Sequence, residues 1–303
     1  MTPHSGTLTP IAQTRNYMRK VFSGKRKPFT SSKGSVASDV YKVLRQEYPS
    51  NNTAINEFNR AIARLLEEKR GKYNFKHMQQ EVVKKSPPLF DHATYVGPVV
   101  VRTTESRGRG LFTTKDIKAG DLLLCKKAFA HAFYDPEDSE KGLALLINVE
   151  TDLMTIGTQA DLLTILVQKL YKNPSLMSTI TNLHHGSYNP VGVSEVDDTP
   201  IVDTFLIERI MALNCFSCPL SSLETHIRSS TDKAEATRAG NEFHSCGVWP
   251  LASYINHSCD SNAQRSFNGD MMIVRATRDI TRDSEITFWY KSPWGDEVEF
   301  ETR

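Results

Sequence analysis

Ser253-Tyr254-Ile255-Asn256-His257-Ser258-Cys259 is the stretch from which the fold of this 303-residue chain is read. Tyr290 follows Cys259 by 31 residues and closes the run Glu285-Ile286-Thr287-Phe288-Trp289-Tyr290. Far upstream stands a glycine turn, Ser106-Arg107-Gly108-Arg109-Gly110-Leu111-Phe112. One Asn-His-Ser-Cys box alone decides nothing, but three such segments in this order form a signature. Gly108 and Gly110 let the backbone bend sharply and come close to a ligand, because no Cβ stands in the way. Thr281-Arg282-Asp283-Ser284 reads as a turn feeding the strand formers Ile286-Thr287-Phe288. Between the later two segments, Asn268-Gly269-Asp270 separates Ala263 to Phe267 from Met271 to Arg275, and an Asn-Gly between apolar alternations predicts a hairpin.

Outward from these segments, short strands prevail. Val96, then Val99-Val100-Val101, lead into the glycine turn, and Leu122-Leu123-Leu124 follows Lys118-Ala119-Gly120-Asp121. Apolar and β-branched runs cut by Gly and Asp predict small strands in several sheets. From about 138 to 245 the period changes. Leu162, Leu163, Leu166, Val167 and Leu170 keep helical spacing, as do Phe205, Leu206, Arg209, Ile210 and Leu213. Near the start, Ile55, Phe58, Ile62, Leu65 and Leu66 share one face of a helix over Asn52 to Lys72, with Asn52 or Thr53 as N-cap and Gly71 as stop. A second helix, Phe75 to Lys85, ends at Pro87-Pro88. The expected organisation is a disordered basic tail (1–35), a helical segment (36–90), a main domain (95–291) holding a helical insertion (about 138–245), and a short tail (292–303).

Hydrophobic content of 39% and charged content of 24% are those of a soluble globular protein. No apolar run approaches 18 residues and the start has no apolar h-region, so neither a membrane partner nor a secretory signal is expected. Five cysteines without framework spacing fit a reducing, intracellular compartment, nucleus or cytoplasm. The net charge of +2 is divided: residues 1–90 hold 17 Lys and Arg against 6 Asp and Glu, residues 91–303 hold 20 against 29. The basic arm, with Lys25-Arg26-Lys27, weakly suggests nucleic acid or an import receptor, against the plainer reading of a solvated tail. The acidic remainder would gain on-rate toward a Lys-rich partner.

Taken together, the three segments resemble the SET-domain protein-lysine methyltransferases over about residues 91–291. In pattern they are nearest to fungal SET proteins that carry tetratricopeptide helices, relatives of the SET-MYND group. The resemblance implies a mainly β (α+β) fold, the SET β-clip with a pseudoknot, a helical insertion and an N-terminal helical segment. It implies S-adenosyl-L-methionine as cofactor, a protein substrate with a target lysine (histone or other), and methyl transfer. Arg107, Gly108, Arg109, Gly110, Leu111, Asn256 and His257 match the family's cofactor positions. Asn214, in Leu213-Asn214-Cys215-Phe216, matches an Asn-x-Phe lining the same pocket. Tyr290 matches the catalytic tyrosine, with Phe288, Trp289 and Tyr254 around the substrate channel. The N-terminal helices resemble a tetratricopeptide remnant, a peptide-docking element.

The chemistry asked of such a site is definite. A lysine must become a neutral amine although its unperturbed pKa is near 10.4. A narrow apolar channel disfavours the ammonium by desolvation. A tyrosine hydroxyl at the channel's end can orient the amine. A Cys-His nucleophile pair at His257 and Cys259 would need an orienting carboxylate, and none is identifiable. Cys215 and Cys218 form a Cys-x-x-Cys, which is half of a zinc site at most, although Cys246 and His244 are conceivable recruits. Many family members place three cysteines after the catalytic tyrosine to bind zinc with the Asn-His-Ser-Cys thiol. No cysteine follows Cys259 here, so no zinc is expected within this chain and one channel wall is expected to be missing. That keeps open an alternative: an impaired SET-fold interaction module.

Overall fold

Amphipathic spacing produces two helices ahead of the sheets: α1 (Asn52–Arg70) and α2 (Phe75–Val82). Each is capped by an asparagine. Asn51 Oδ1 accepts from the Ala54 amide at 3.0 Å and Asn74 Oδ1 from the His77 amide at 3.1 Å, satisfying donors the first helical turn leaves over. The cap of α1 is therefore Asn51, one residue before the pair the sequence suggests. The computed structural model describes residues 42, 46, 49–82, 84, 87–133, 144–149, 153–219, 221–223, 226 and 245–290. The tails expected at 1–35 and 292–303, the Lys25-Arg26-Lys27 cluster and His244 lie outside the described residues.

The chain divides into two compact units, 1–69 and 70–303. In the first, Ala54 and Phe58 of α1 are buried with Ile62 beside them, and Arg64 grips the buried carboxylate of Glu67 at 2.6 and 2.8 Å.

In the second unit the elements run β1 (Tyr95–Val96), β2 (Val99–Thr103), β3 (Arg109–Thr113), β4 (Leu122–Lys127) and β5 (Ala130–Phe133). The insertion follows: β6 (Leu145–Asn148), β7 (Leu153–Ile156), α3 (Thr158–Lys172), α4 (Met177–Thr181), β8 (Glu195–Val196), β9 (Thr199–Pro200), α5 (Thr204–Asn214) and β10 (Cys215–Cys218). Then come β11 (Ser245–Val248), β12 (Asn256–His257), β13 (Ala263–Asn268), β14 (Met271–Ala276) and β15 (Glu285–Phe288). The strands assemble as β1-β4-β14-β13, β10-β11-β5 and β12-β15-β3-β2, with β6-β7 and β8-β9 as separate hairpins. The insertion is thus less helical than its Leu periodicity implies. Its two long helices fall where the spacing puts them, but short β-formers such as Thr155-Ile156 pair locally around them.

Three apolar clusters hold this unit. Leu111, Leu123, Leu124, Trp249, Val274, Ile286 and Phe288 join the sheets in one core. Leu162, Leu166 and Leu170 of α3 and Ile207 and Ile210 of α5 pack on Ala132 and Val248 in a second. Met78 and Val82 of α2 cover Cys125, Met271 and Ile273 in a third, so α2 is docked on the four-stranded sheet. The β13–β14 hairpin forms as predicted, with Asn268 opposite Met271 and Gly269 at φ +52°. Asp203 starts α5 by accepting from the Leu206 amide at 2.9 Å.

His131 of β5 sets an acid limit on stability. Its Nδ1 is buried without a hydrogen-bond partner, its ring lies edge-on to Trp249 at 6.1 Å, and burial pushes its pKa down to about 4. An unfolded histidine titrates near pH 6.5, so the unfolded chain binds the proton first. Stability is full above about pH 6.5 and falls as pH drops toward 4, by up to about 3 kcal/mol from this residue. His131→Phe should remove that share of the acid sensitivity and leave stability at pH 7 within about 1 kcal/mol, since Nδ1 has no partner among the described residues and Nε2 has only the weak 3.9 Å contact with Cys218 Sγ to lose. Urea titrations at both ends of the window check it; identical acid sensitivity in parent and variant would contradict it.

Candidate functional site

The glycine turn is built first. The Arg107 amide donates to Thr104 Oγ1 at 2.9 Å, the Thr104 amide to the Gly108 carbonyl at 2.6 Å, and Gly108 takes φ +69°. The chain then enters β3, which pairs with β2 on one side and antiparallel with β15 on the other, setting Glu285 opposite Phe112. That register brings the Glu285 carboxylate over Gly110. A Cβ on Gly110 would lie 2.6 Å from Glu285 Oε1 and 3.2 Å from Asn256 Nδ2, so a side chain there would displace the Glu285 carboxylate.

Glu285 is the hub. Asn256 Nδ2 donates to its Oε1 at 2.7 Å and to the Arg109 carbonyl at 3.2 Å. The Arg107 guanidinium pairs with Oε2, and its other terminal nitrogen reaches the His257 carbonyl at 3.4 Å. The asparagine of the Asn-His-Ser-Cys box and the first arginine of the glycine turn thereby share one carboxylate, whose side chain is only 13% exposed. Such charge-assisted bonds are shorter and stronger than neutral ones. Asn262 fixes β15 from below, donating to the Glu285 carbonyl at 2.8 Å and accepting from the Thr287 amide at 2.9 Å.

The box and the C-terminal strand run side by side. β12 pairs parallel with β15, Asn256 opposite Thr287 and His257 opposite Phe288, and the Ser258 amide continues the ladder to the Phe288 carbonyl at 2.8 Å. A parallel pair needs a long connection, and the β13–β14 hairpin supplies it. This crossing lays the Asn-His-Ser-Cys box beside β15. At its end the Tyr290 amide donates to His257 Nδ1 at 3.0 Å, the two rings meet at 5.3 Å, and the Tyr290 hydroxyl donates to the Ile255 carbonyl at 2.6 Å. Because Nδ1 accepts, the neutral imidazole carries its proton on Nε2, which faces Cys259 Sγ at 3.5 Å. Burial lowers the His257 pKa, which favours that neutral form. The Nδ1 position that an orienting acid would need in a Cys-His pair is occupied by the Tyr290 amide.

The other sequence candidates fall in different places. Arg109 lies 4.9 Å above the Tyr254 ring, contacts its hydroxyl at 3.3 Å and bonds the Asn182 carbonyl of the insertion. Leu111 and Phe288 are buried in the core, so Leu111 offers a ligand its main chain only. Trp289 and Tyr290 remain 45% and 39% exposed. Asn214, buried at the end of α5, spends its amide on the His184 and Ile210 carbonyls at 2.7 Å each, while its own carbonyl accepts from Ser253 Oγ at 3.3 Å. It is tied to the box through Ser253 rather than to the glycine turn. Cys215 and Cys218 are three apart on β10 and so point to opposite faces. Burial pushes the Cys218 and Cys246 thiols up to about 12, holding them protonated.

Glu285, Asn262 and Arg265 escaped the sequence reading. Glu285 had one signal, an acid at the head of a strand whose neighbour is a glycine. Arg265 lies between two aromatic rings, Phe216 at 5.7 Å and Phe288 at 5.3 Å.

Comparison with known proteins fits this arrangement. The SET domain family matches residues 108–291, more than half of the chain. A protein of Gibberella zeae named Methyltransferase is 44% identical over 256 residues, covering 84% of this chain and 35% of that one. Human histone-lysine N-methyltransferase SMYD3 is 46% identical over 44 residues, 14% of this chain and 10% of its own. Among solved structures, the SET domain of LSMT bound to lysine and AdoHcy aligns with a TM-score of 0.37 and 13% identity, covering 73% of this chain and 55% of that one. The chain spans about a third of the length of the Gibberella relative. With the glycine turn, the parallel β12–β15 crossing and a family match across both, this chain belongs to the SET-domain family.

Proposed function

We propose that the protein is an S-adenosyl-L-methionine-dependent protein-lysine N-methyltransferase. The observation that carries this reading is the shared carboxylate of Glu285, which binds Asn256 and Arg107 into one surface beside Tyr290. The donor set suits a zwitterionic ligand. Asn256 Oδ1 accepts nothing from the described residues, and nothing lies within 4 Å of where a Gly108 Cβ would stand, which leaves the turn's face open. Cationic Arg107 and Arg109 suit a carboxylate, and the oxygens of Asn256 and Glu285 an ammonium. Gly108 to Leu111, through their main chain, and Asn256 and His257 would hold the cofactor, which when bound supplies a methyl group on a sulfonium.

The remaining work belongs to the chain. A lysine entering beside the half-exposed Trp289 and Tyr290 leaves water for ring faces, which shifts it toward the neutral amine a displacement needs, whereas Phe288 is buried in the core and presents no face to it. Tyr290, fixed at its amide by His257 and at its hydroxyl by the Ile255 carbonyl, presents its oxygen in one place and orients that amine. Tyr254 is pinned by Arg109 of the glycine turn. The substrate would be a protein lysine, histone or other, in the nucleus or cytoplasm, and the acidic balance of residues 91–303 favours Lys-rich partners. No helix among the described residues is long and apolar enough to cross a membrane.

Calorimetric titration with S-adenosyl-L-methionine tests the cofactor assignment. The parent chain should bind saturably, and Asn256→Ala, verified as folded by circular dichroism, should bind at least about tenfold more weakly, since both Asn256 bonds that set the surface are lost. A folded parent that shows no heat of binding would overturn the reading.

A further inference from the structure

Arg265 of β13 is half-buried beside Phe288 and Trp289 and takes no part in the Glu285 network. Its guanidinium lies between the Phe216 and Phe288 rings, and Nη1 donates to the Trp289 carbonyl at 3.1 Å. A guanidinium carries five N–H donors, and that carbonyl is the partner of just one. Ring faces favour a cation, but they do not supply the counter-charge that a desolvated cation asks for. In the same unit Arg107, Arg278 and Arg102 are matched to Glu285, Asp260 and Asp283, whereas Arg109 and Arg275, like Arg265, lie over a ring and bond a carbonyl. Among the described residues Arg265 has no carboxylate partner. Burial lowers its pKa, the direction expected for a cation short of counter-charge.

We infer that Arg265 is a specificity residue, receiving the carboxylate of an Asp or Glu side chain that lies close in sequence to the lysine being methylated. The inference rests on the lysine-methyltransferase reading and narrows its substrate class. With one terminal nitrogen on the Trp289 carbonyl the guanidinium keeps further N–H donors, and such a planar fork can take a carboxylate in two parallel bonds. A carboxylate docked there also offsets the repulsion between Arg265 and the incoming lysine. A second Lys or Arg at the same position in the peptide would add to that repulsion. The domain's net acidity draws basic partners in general, while Arg265 selects among them for a lysine with an acidic neighbour.

The test uses the full chain and single-lysine peptides in which each flanking position is in turn Glu, Gln or Arg. The parent should favour Glu over Gln at one flanking position by about tenfold in kcat/KM, expressed in KM and reduced by salt. Arg265→Gln should lose the preference, and Arg265→Lys, which keeps a charge without the fork, should keep part of it. Affinity for S-adenosyl-L-methionine should be equal in all three, measured by calorimetry on proteins with matching unfolding temperatures. A parent that methylates lysine peptides with no charge preference overturns the inference alone. One that methylates none removes the reading beneath it and overturns both. Loss of cofactor affinity in Arg265→Gln would give the guanidinium to the cofactor's carboxylate instead. A Glu preference that emerges only after Asp296, Glu297, Glu299 and Glu301 are changed to amides would give it to the chain's own acids, and overturns it as well.

Discussion

Tyr290→Phe is expected to slow methyl transfer by about 100- to 1,000-fold while leaving cofactor affinity within a factor of about two. The change removes one oxygen and keeps the ring, so the ring contact with His257 and the amide bond to Nδ1 stay in place. What goes is the hydroxyl held at 2.6 Å from the Ile255 carbonyl, a bond whose loss costs about 1 kcal/mol of stability. That is too small to unfold the domain, and a deep loss of rate would therefore report on chemistry. Single-turnover rates with saturating peptide separate the two effects. A variant as fast as the parent would show that the hydroxyl has no part in orienting the amine.

Gly110→Ala is expected to abolish cofactor binding, with an affinity loss of at least about 100-fold, at a stability cost of about 1–3 kcal/mol. The new methyl group would stand 2.6 Å from Glu285 Oε1 and 3.1 Å from the Phe112 ring. Glu285 can yield, because its carboxylate ends a flexible side chain. It yields only by leaving Arg107 and Asn256 together, and the surface they share goes with it. Gly120→Ala, in the turn before β4 and outside the proposed site, is the control. Its φ of +87° strains any side chain by about 1 kcal/mol, but nothing lies within 4 Å, so the carboxylate network is untouched. Calorimetry and urea unfolding on both variants check the contrast. If Gly110→Ala bound cofactor like the parent, the Glu285 hub would have no role in the site.

Much of this was legible in the sequence, for reasons that differ by element. The Asn268-Gly269 hairpin could be read because only a few residues tolerate φ above zero, and the chain put one there. The helices of the insertion could be read because Leu162, Leu166 and Leu170 repeat at helical spacing. The three signature segments announced the family, and the fold places all three around β3, β12 and β15. Glu285 could not be read, because its meaning lies in a register: it matters only once β15 lies beside β3 and stands over Gly110. Arg265 looked like an ordinary polar position on an alternating strand until Phe216, some fifty residues earlier, supplied the second ring. The docking of α2 was hidden in the same way, since Met78 and Val82 mark an apolar face without naming what covers it. Local chemistry is written in the sequence; partners brought together by topology are not.

The measurement that bears most directly on the central claim is transfer of a tritiated methyl group from S-adenosyl-L-methionine to an array of lysine peptides, followed by hydrolysis and identification of the labelled amino acid. The account predicts label recovered as N-methylated lysine, in peptides carrying a single lysine and absent where that lysine is replaced by arginine. A folded chain that binds the cofactor yet places label on no lysine, or places it on another side chain, would contradict it.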